Sequence, residues 1–141
     1  MVKDQKLYSS SQKILVRDKN PEFGKNLSKR LFDFSVNVIR FLSTIPTKNE
    51  HFVFKIQLSR AGTSMGANFE EVQAAFSRKE FICKMAICLK ESRESNYWLR
   101  ICDELKLGDN SMRIQLLDQS LEFIKIFTTS LKTARANTKK I

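Results

Sequence analysis

The sequence contains no apolar run that approaches the ~20 residues of a transmembrane helix. Residues 1–20, MVKDQKLYSSSQKILVRDKN, also lack the apolar core of a signal peptide. Cysteine is rare: Cys83, Cys88 and Cys102 are an odd number and have no CxxC spacing, which argues against disulfides and a zinc site. We therefore expect a cytoplasmic protein without a membrane segment, whose cysteines are buried thiols of a reducing compartment.

Signatures of catalysis are absent as well. The sequence has no GxxxxGK[ST], GxGxxG or GxSxG motif. Its single histidine, His51, has no Glu three residues before it, as the Glu-x-x-His pairs of di-iron bundles require. We expect a non-enzymatic protein without metal or cofactor, with His51 on the surface near a helix start. A metal-dependent nuclease is the least favoured alternative, and it would use Glu70, Glu71, Glu91 and Glu94.

Negative charge is scarce and ends early in the chain. Lys and Arg total 25 against 15 Asp and Glu, which gives a net charge of +10. No Asp or Glu follows Glu122, and the last 19 residues contain five cations: Lys125, Lys132, Arg135, Lys139 and Lys140. This concentration favours a polyanionic partner such as RNA, DNA or an acidic protein surface. A solvated basic terminus is the alternative.

The length and the periodicity of the chain predict one all-α domain. A chain of 141 residues with 42% hydrophobic content can bury one core and has no room for a second full domain. Four segments have helical periodicity, and no convincing alternating stretch indicates a strand. We expect residues 1–24 to form a flexible or loosely docked arm, 25–134 the helical domain and 135–141 a basic tail.

The first two predicted helices are separated by Pro46. The first spans about Leu27 to Thr44, with an apolar seam of Leu27, Leu31, Phe34, Val38, Phe41 and Ile45. A capping box at residues 47–50, TKNE, predicts the start of the second. Its seam comprises Phe54, Leu58, Ala61, Met65, Asn68, Val72 and Ala75. Gly62 and Gly66 within it indicate close approach of another helix, because glycine otherwise weakens a helix.

The last two helices follow similar signals. Residues 77–80, SRKE, form a second capping box, and Gly108 ends the third helix near Leu107. The third seam comprises Phe81 or Ile82, Met85, Leu89, Ser92, Asn96 and Leu99. Residues 109–111 offer caps for the fourth helix, whose seam comprises Leu117, Leu121, Ile124, Phe127 and Leu131. Short connections between such helices favour an antiparallel up-down-up-down four-helix bundle.

Two stretches of the chain, QLSRAGTSMGANFEE and SRKEFICKMAICLKESRESNYWLR, resemble the 23S rRNA-intervening-sequence protein family. The resemblance spans Phe32 to Ile101, and the matching residues are Arg60, Ala61, Ser64, Ala67, Asn68, Glu71, Phe81, Glu94, Tyr97 and Leu99. It implies a four-helix bundle that assembles into a ring-shaped homopentamer without catalytic residues. The family is related to the accessory protein of diversity-generating retroelements, which implies a scaffold associated with nucleic acid. Where many members have AEG after the Asn, this chain has Phe69, Glu70 and Glu71.

Two basic stripes are candidates for nucleic-acid binding. Helical spacing places Lys90, Arg93, Tyr97 and Arg100 on one face of the third helix. Lys125, Thr128, Lys132, Arg135 and Lys139 have the same spacing on the fourth, followed by Lys140. Cations can contact phosphates while an exposed tyrosine stacks on an unpaired base. The alternative is a solvated face with locally packed Tyr97.

A further stripe on the third helix mixes apolar and acidic residues: Ile87, Glu91, Glu94, Trp98 and Ile101. It is a candidate oligomer interface anchored by Trp98, with Glu91 or Glu94 paired to a cation such as Arg60. The alternative is that Trp98 covers the core of a monomer and the glutamates are solvated.

Four polar residues fall in or beside the predicted apolar seams: Ser64, Asn68, Ser92 and Asn96. A buried amide without a partner costs roughly 1–3 kcal/mol, so we expect Asn68 and Asn96 to bond each other, Ser64 or Ser92 and to set helix alignment. Binding of a ligand is the alternative.

The leading functional hypothesis is a homo-oligomeric scaffold that binds RNA or a nucleoprotein through the basic stripes. The alternative is a protein-interaction adaptor for an acidic partner, such as a polymerase or a ribosome-associated factor. No small-molecule substrate is expected.

Overall fold

A computed structural model describes residues 22–139 of the chain. This part contains four helices and no strand: α1 (Phe23–Leu42), α2 (Phe52–Ala74), α3 (Arg78–Glu104) and α4 (Asn110–Lys139), with a 3₁₀ turn at Asn49–His51. The prediction of an all-α protein of four helices is confirmed. Residues 1–21 of the expected arm and the last two residues of the expected tail lie outside the described range. Within that range, α4 continues past the expected boundary at residue 134.

Helix α1 packs against α2 through the two glycines of α2. All six residues of the predicted α1 seam are buried. A Cβ built on Gly62 would lie 2.9 Å from Val38 Cγ2, whereas one on Gly66 would lie 3.5 Å from the backbone of Leu31. The predicted close approach of a second helix is therefore confirmed, and it is tighter at Gly62.

The remaining helix pairs are joined by polar contacts at several levels. Ser92 Oγ of α3 lies 2.9 Å from Met65 Sδ of α2, and Lys84 pairs with Glu71 nearer the end of α2. Residues later in α2 thus meet residues earlier in α3. Helices α3 and α4 are also joined by polar contacts, among them the hydrogen bond from Asn96 to Ser120.

Helix starts follow the predicted caps in two places of three. Ser77 Oγ accepts a hydrogen bond from the Glu80 N–H at 3.1 Å, and Glu80 Oε2 accepts one from the Phe76 N–H. Before α4, Asp109 Oδ1 accepts from the Met112 N–H at 2.9 Å. These side chains satisfy N–H groups that have no partner inside the helix.

The predicted capping box at residues 47–50 is wrong, as is the surface position of His51. A 3₁₀ turn stands there, and no side chain hydrogen-bonds at its N-cap, Lys48. His51 is buried, with Nδ1 2.7 Å from the Pro46 carbonyl oxygen and its ring 5.3 Å from that of Phe54. The histidine packs against the preceding segment and the start of α2.

The predicted seam of α4 is displaced around the helix. Phe127 and Leu131 are buried as expected, but Leu117 and Ile124 are only half-buried and Leu121 is 50% exposed. The buried residues are Arg113, Leu116, Ser120, Phe123, Phe127, Leu131 and Ala134. Two of the buried residues in the first half of α4, Arg113 and Ser120, are polar. A seam predicted from apolar spacing therefore did not include them.

Arg113 explains how a cation can lie in this core. It is 2% exposed, and its guanidinium donates to Asp103 Oδ1 at 2.9 Å, to the Leu107 carbonyl at 2.8 Å and to Asn110 Oδ1 at 2.7 Å. A buried charge is tolerated when it is paired and its donors are satisfied. Through these hydrogen bonds, Arg113 joins the end of α3 to the start of α4.

The predicted seam of α2 is also wrong at one position. Asn68, predicted in the seam, is half-buried and donates from Nδ2 to the Ser64 carbonyl of its own helix at 2.8 Å. Phe69 occupies the core instead, 6.2 Å from the ring of Phe127. The larger apolar side chain gains more from burial than an amide does.

Two of the three cysteines are buried as predicted, but Cys83 is exposed, so that part of the prediction is wrong. Cys83 lies on the outer side of α3, away from the buried Phe81 and Met85. Burial raises the pKa of the Cys88 thiol to about 12 and that of Cys102 to about 11. Both buried thiols therefore stay protonated near neutral pH.

We expect alanine at Gly62 and at Gly66 to change stability in opposite directions. Alanine improves helix propensity at both positions by about 1 kcal/mol, but at Gly62 the new Cβ would meet the stiff, buried Val38 and overpacking costs about 1–3 kcal/mol. Gly66→Ala is therefore expected to raise the free energy of unfolding in urea, and Gly62→Ala to lower it by about 1 kcal/mol. Equal stabilisation by both variants would contradict the tight α1–α2 contact.

We expect a thiol reagent to modify only Cys83 in the native protein. The thiolate is the reactive form. Burial keeps the reagent away from Cys88 and Cys102, and it raises the pKa of both thiols so that little thiolate forms. Mass spectrometry after brief iodoacetamide treatment at pH 8 should find one modified cysteine in the folded protein and three in urea. Cys83→Ser should remove the native reaction, and rapid labelling of Cys88 or Cys102 would contradict this core.

Candidate nucleic-acid interface

The seam between α3 and α4 carries the candidate interface. Asp103 contacts Arg113 at the loop end, and Asn96 Nδ2 donates to Ser120 Oγ at 3.0 Å further along. Beyond them, Leu89 of α3 and five residues of α4 line a groove of about 420 Å³: Thr128, Leu131, Lys132, Arg135 and Ala136.

The basic stripe of α3 is exposed and borders this seam. Lys90, Arg93, Tyr97 and Arg100 are all exposed. Arg93 follows the groove residue Leu89 by one turn on the same side of the helix. Arg100 Nε donates to Asn96 Oδ1 at 3.0 Å, and its guanidinium lies 5.8 Å from the Tyr97 ring centroid. Asn96 thus joins the stripe to α4 through Ser120.

The stripe of α4 lies on the other side of the same seam. Lys125, Lys132 and Arg135 are exposed, and the last two line the groove directly. Thr128 is exposed at the groove, and its Oγ1 donates to the Ile124 carbonyl at 2.6 Å. The side chain of Lys139 and all of Lys140 lie outside the described residues.

The cations at the seam form no close ion pairs, although Lys90 lies near enough to Glu94 to contribute to the lowered pKa of that glutamate. Residues 81–90 and 123–141 contain no Asp or Glu. Within the described residues, none of the six exposed cations has a carboxylate oxygen within 4.0 Å: Lys90, Arg93, Arg100, Lys125, Lys132 and Arg135. A surface with one sign of charge from two helices concentrates anions along the seam.

The mixed stripe lies on the opposite flank of α3, toward α2. All five of its residues are half-buried. Arg60 of α2 contacts Glu94 Oε1 at 2.5 Å and Glu91 Oε1 at 3.5 Å, and Trp98 Nε1 donates to Glu94 at 3.4 Å. The hydrogen bond from Arg60 lowers the pKa of Glu94 and raises that of Arg60. The predicted pairing of these glutamates with Arg60 is confirmed within one chain.

Tyr97 and Trp98 lie where the two flanks of α3 meet. Their ring centroids are 5.1 Å apart at an interplanar angle of 73°, an edge-to-face contact. Tyr97 is 49% exposed and belongs to the cationic side, whereas the Trp98 ring packs partly against the core. Adjacent aromatic residues therefore belong to two different surfaces.

The four predicted core polar residues divide into two groups. Ser92 and Asn96 are buried, whereas Ser64 and Asn68 are half-buried. The expected partners of Asn96 are wrong, because Asn96 bonds Ser120 of α4 and accepts from Arg100. Ser120 was not predicted from the sequence, although its position seven residues after Arg113 and three before Phe123 continues the buried seam.

A group of exposed apolar residues on α1, and at and just after the start of α2, was also missed: Phe32, Ile39, Phe52, Val53 and Ile56. Each is at least 48% exposed. Monomeric proteins expose single apolar side chains routinely, so these residues become a candidate contact surface only where they adjoin one another.

The glutamates proposed for a nuclease do not form a metal site. Glu91 and Glu94 face Arg60, and Glu71 pairs with Lys84. Across residues 22–139, no group of three or more His, Cys, Asp or Glu side chains is placed to hold a metal ion. No helix in the same part of the chain is long and apolar enough to cross a membrane.

Comparison with known proteins places this fold in a family. A crystal structure from Bacteroides thetaiotaomicron, described as a protein of unknown function from the S23 ribosomal protein family, is similar with a TM-score of 0.68 and 30% sequence identity. The match covers 74% of this chain and 97% of that one. Comparison with curated proteins gives no significant match. The family model for the 23S rRNA-intervening sequence protein matches residues 26–129, so the chain belongs to that family.

Proposed function

We propose that this protein is a non-enzymatic, homo-oligomeric scaffold of the cytoplasm that binds RNA, or an RNA–protein complex, through the α3–α4 seam. One observation supports this above the others. Two basic stripes from separate parts of the sequence border the same α3–α4 seam, where Lys132 and Arg135 of α4 line the groove opposite Leu89 of α3. Residues 81–90 and 123–141, on the two sides of that groove, contain no acidic residue. The name of the family, which refers to an intervening sequence of 23S rRNA, agrees with an RNA partner.

The seam has the chemistry that a phosphate backbone requires. Lysine and arginine neutralise phosphates and release condensed counterions, which makes binding fall steeply with salt. Tyr97 adds an exposed ring beside Arg93 and Arg100, and aromatic rings stack on unpaired bases of any sequence. Such a site favours RNA by charge and shape and needs no contact with base edges.

In this proposal the helices alternate in direction and five subunits form a ring, as the family resemblance implies. Two unlike surfaces support a head-to-tail assembly. One is the half-buried stripe around Trp98, and the other is the exposed apolar group on α1 and α2. A ring would repeat the basic seam around one axis, so that several weak contacts act on one RNA.

The alternative is an adaptor that binds an acidic protein, such as a polymerase or ribosome-associated factor, and the same exposed apolar residues favour it. Co-purification from cells before and after digestion of RNA and DNA separates the two functions. Loss of the partners on digestion supports the RNA scaffold, whereas partners that persist support the adaptor.

We expect alanine at five seam cations to abolish most RNA binding: Lys90, Arg93, Lys125, Lys132 and Arg135. Each lost phosphate contact reduces the slope of log affinity against log salt by about 0.7 for a single strand, so five contacts reduce it by about 3.5. Filter binding across a salt series measures both the affinity and the slope.

A matched control removes the same charge elsewhere, at Lys25, Lys29, Arg40, Lys48 and Lys106, which are also exposed. The control should retain most of its affinity, since only long-range attraction is lost. Equal losses in both variants would indicate non-specific attraction by net charge and contradict a seam-specific site.

We expect the neighbouring aromatic residues to separate assembly from binding. Trp98→Ala should reduce the mass measured by light scattering, because large aromatic anchors dominate interfaces, while Tyr97→Ala should leave the mass unchanged and weaken RNA binding about tenfold. Circular dichroism checks that both variants fold. A wild-type protein that is monomeric at micromolar concentration would contradict the assembly.

A further inference from the structure

The groove between α3 and α4 offers a ligand more than positive charge, because part of its lining is apolar. Leu131 is buried and Leu89 half-buried, whereas Lys132 and Arg135 are exposed beside them. The volume of about 420 Å³ falls within the roughly 300–1,000 Å³ range of small-ligand sites. Such a groove suits a planar, partly apolar group that is attached to an anion.

We propose that this groove binds an unpaired nucleotide of single-stranded RNA, with its base against Leu89 and Leu131 and its phosphate beside Lys132 and Arg135. The inference rests on the proposed RNA-binding function and adds the class of RNA. A paired base has both faces covered by its neighbours in the helix stack, so only an unpaired base can enter.

Charge complementarity favours this occupant along the groove as well as within it. Ala136 and Thr128 complete the lining without adding charge. Arg93 follows Leu89 by four residues on α3, and Lys125 precedes Thr128 by three on α4, so each lies about one helical turn from the groove. Both lie on the side of the groove toward Asn96 and Ser120, so a phosphate on that side of the bound nucleotide would meet further cations.

The test compares two fluorescein-labelled RNAs of twelve nucleotides. One is oligouridine, and the other has the same phosphates but abasic riboses throughout. Fluorescence anisotropy with the full-length wild-type protein should give about a hundredfold tighter binding of oligouridine, because stacking on Tyr97 contributes about tenfold and burial of a base against Leu89 and Leu131 about tenfold more. This comparison needs no variant.

Ala136→Phe then assigns part of the difference to the groove. Residue 136 is exposed, so phenylalanine can fill the groove without altering charge. The variant should lose about tenfold of its preference for oligouridine and keep the part that Tyr97 contributes, while its affinity for the abasic strand is unchanged. Thr129→Phe, an equally bulky change at another exposed position of α4, should bind as wild type.

The remaining outcomes distinguish this inference from the function on which it rests. Equal wild-type affinity for the two strands overturns the nucleotide site and leaves binding by charge in place. A preference for oligouridine that Ala136→Phe does not reduce overturns the groove and points to Tyr97. Failure to bind either strand overturns both proposals and favours an acidic protein partner.

Discussion

The alignment of α4 against α3 is the constraint on which the candidate site depends. Arg113 fixes it near the loop, through Asp103 and the carbonyl of Leu107. Halfway along, the amide of Asn96 donates to Ser120. A slip of one turn would move α4 by about 5.4 Å and leave the buried Arg113 guanidinium without the half-exposed carboxylate of Asp103, and a buried charge without its partner is costly. Hydrogen bonds need particular partners at particular distances, whereas apolar side chains pack against many neighbours. The polar contacts therefore specify how α4 is aligned along α3 more strictly than apolar packing does.

The outer surface of α3 is divided lengthwise by the same geometry. Its flank toward α4 is cationic, and its flank toward α2 holds the glutamates that pair with Arg60. Pairing with Arg60 neutralises those carboxylates and lowers the pKa of Glu94. The ion pairs with Arg60 therefore reduce how far these acids weaken the positive field at the seam, although Lys90 also contributes to the lowered pKa of Glu94. Tyr97 and Trp98 mark the boundary, and their edge-to-face contact joins the two surfaces.

Much of the fold followed from local signals, because caps and apolar spacing act within a few residues. The α1 seam, the cap at Ser77 and the packing role of Gly62 all agree with the structure. The predicted seams were wrong where a polar side chain is buried in the core or an apolar side chain is exposed. Arg113 is buried because its donors are satisfied by the loop, whereas Leu121 is exposed. Hydropathy along the sequence cannot anticipate partners supplied by another element.

For the candidate site, too, some features follow from the sequence and others only from the tertiary structure. The sequence determined that the chain is helical, strongly basic and free of acids after Glu122, and that cations recur at helical spacing on the third and fourth helices. Only the tertiary structure decided that both stripes border one seam, that Asn96 bonds Ser120 and that Arg60 reaches Glu94. Helical periodicity fixes which residues share a face of one helix. The rotation of that helix about its axis, and hence the neighbour its face meets, depends on contacts between residues far apart in the chain.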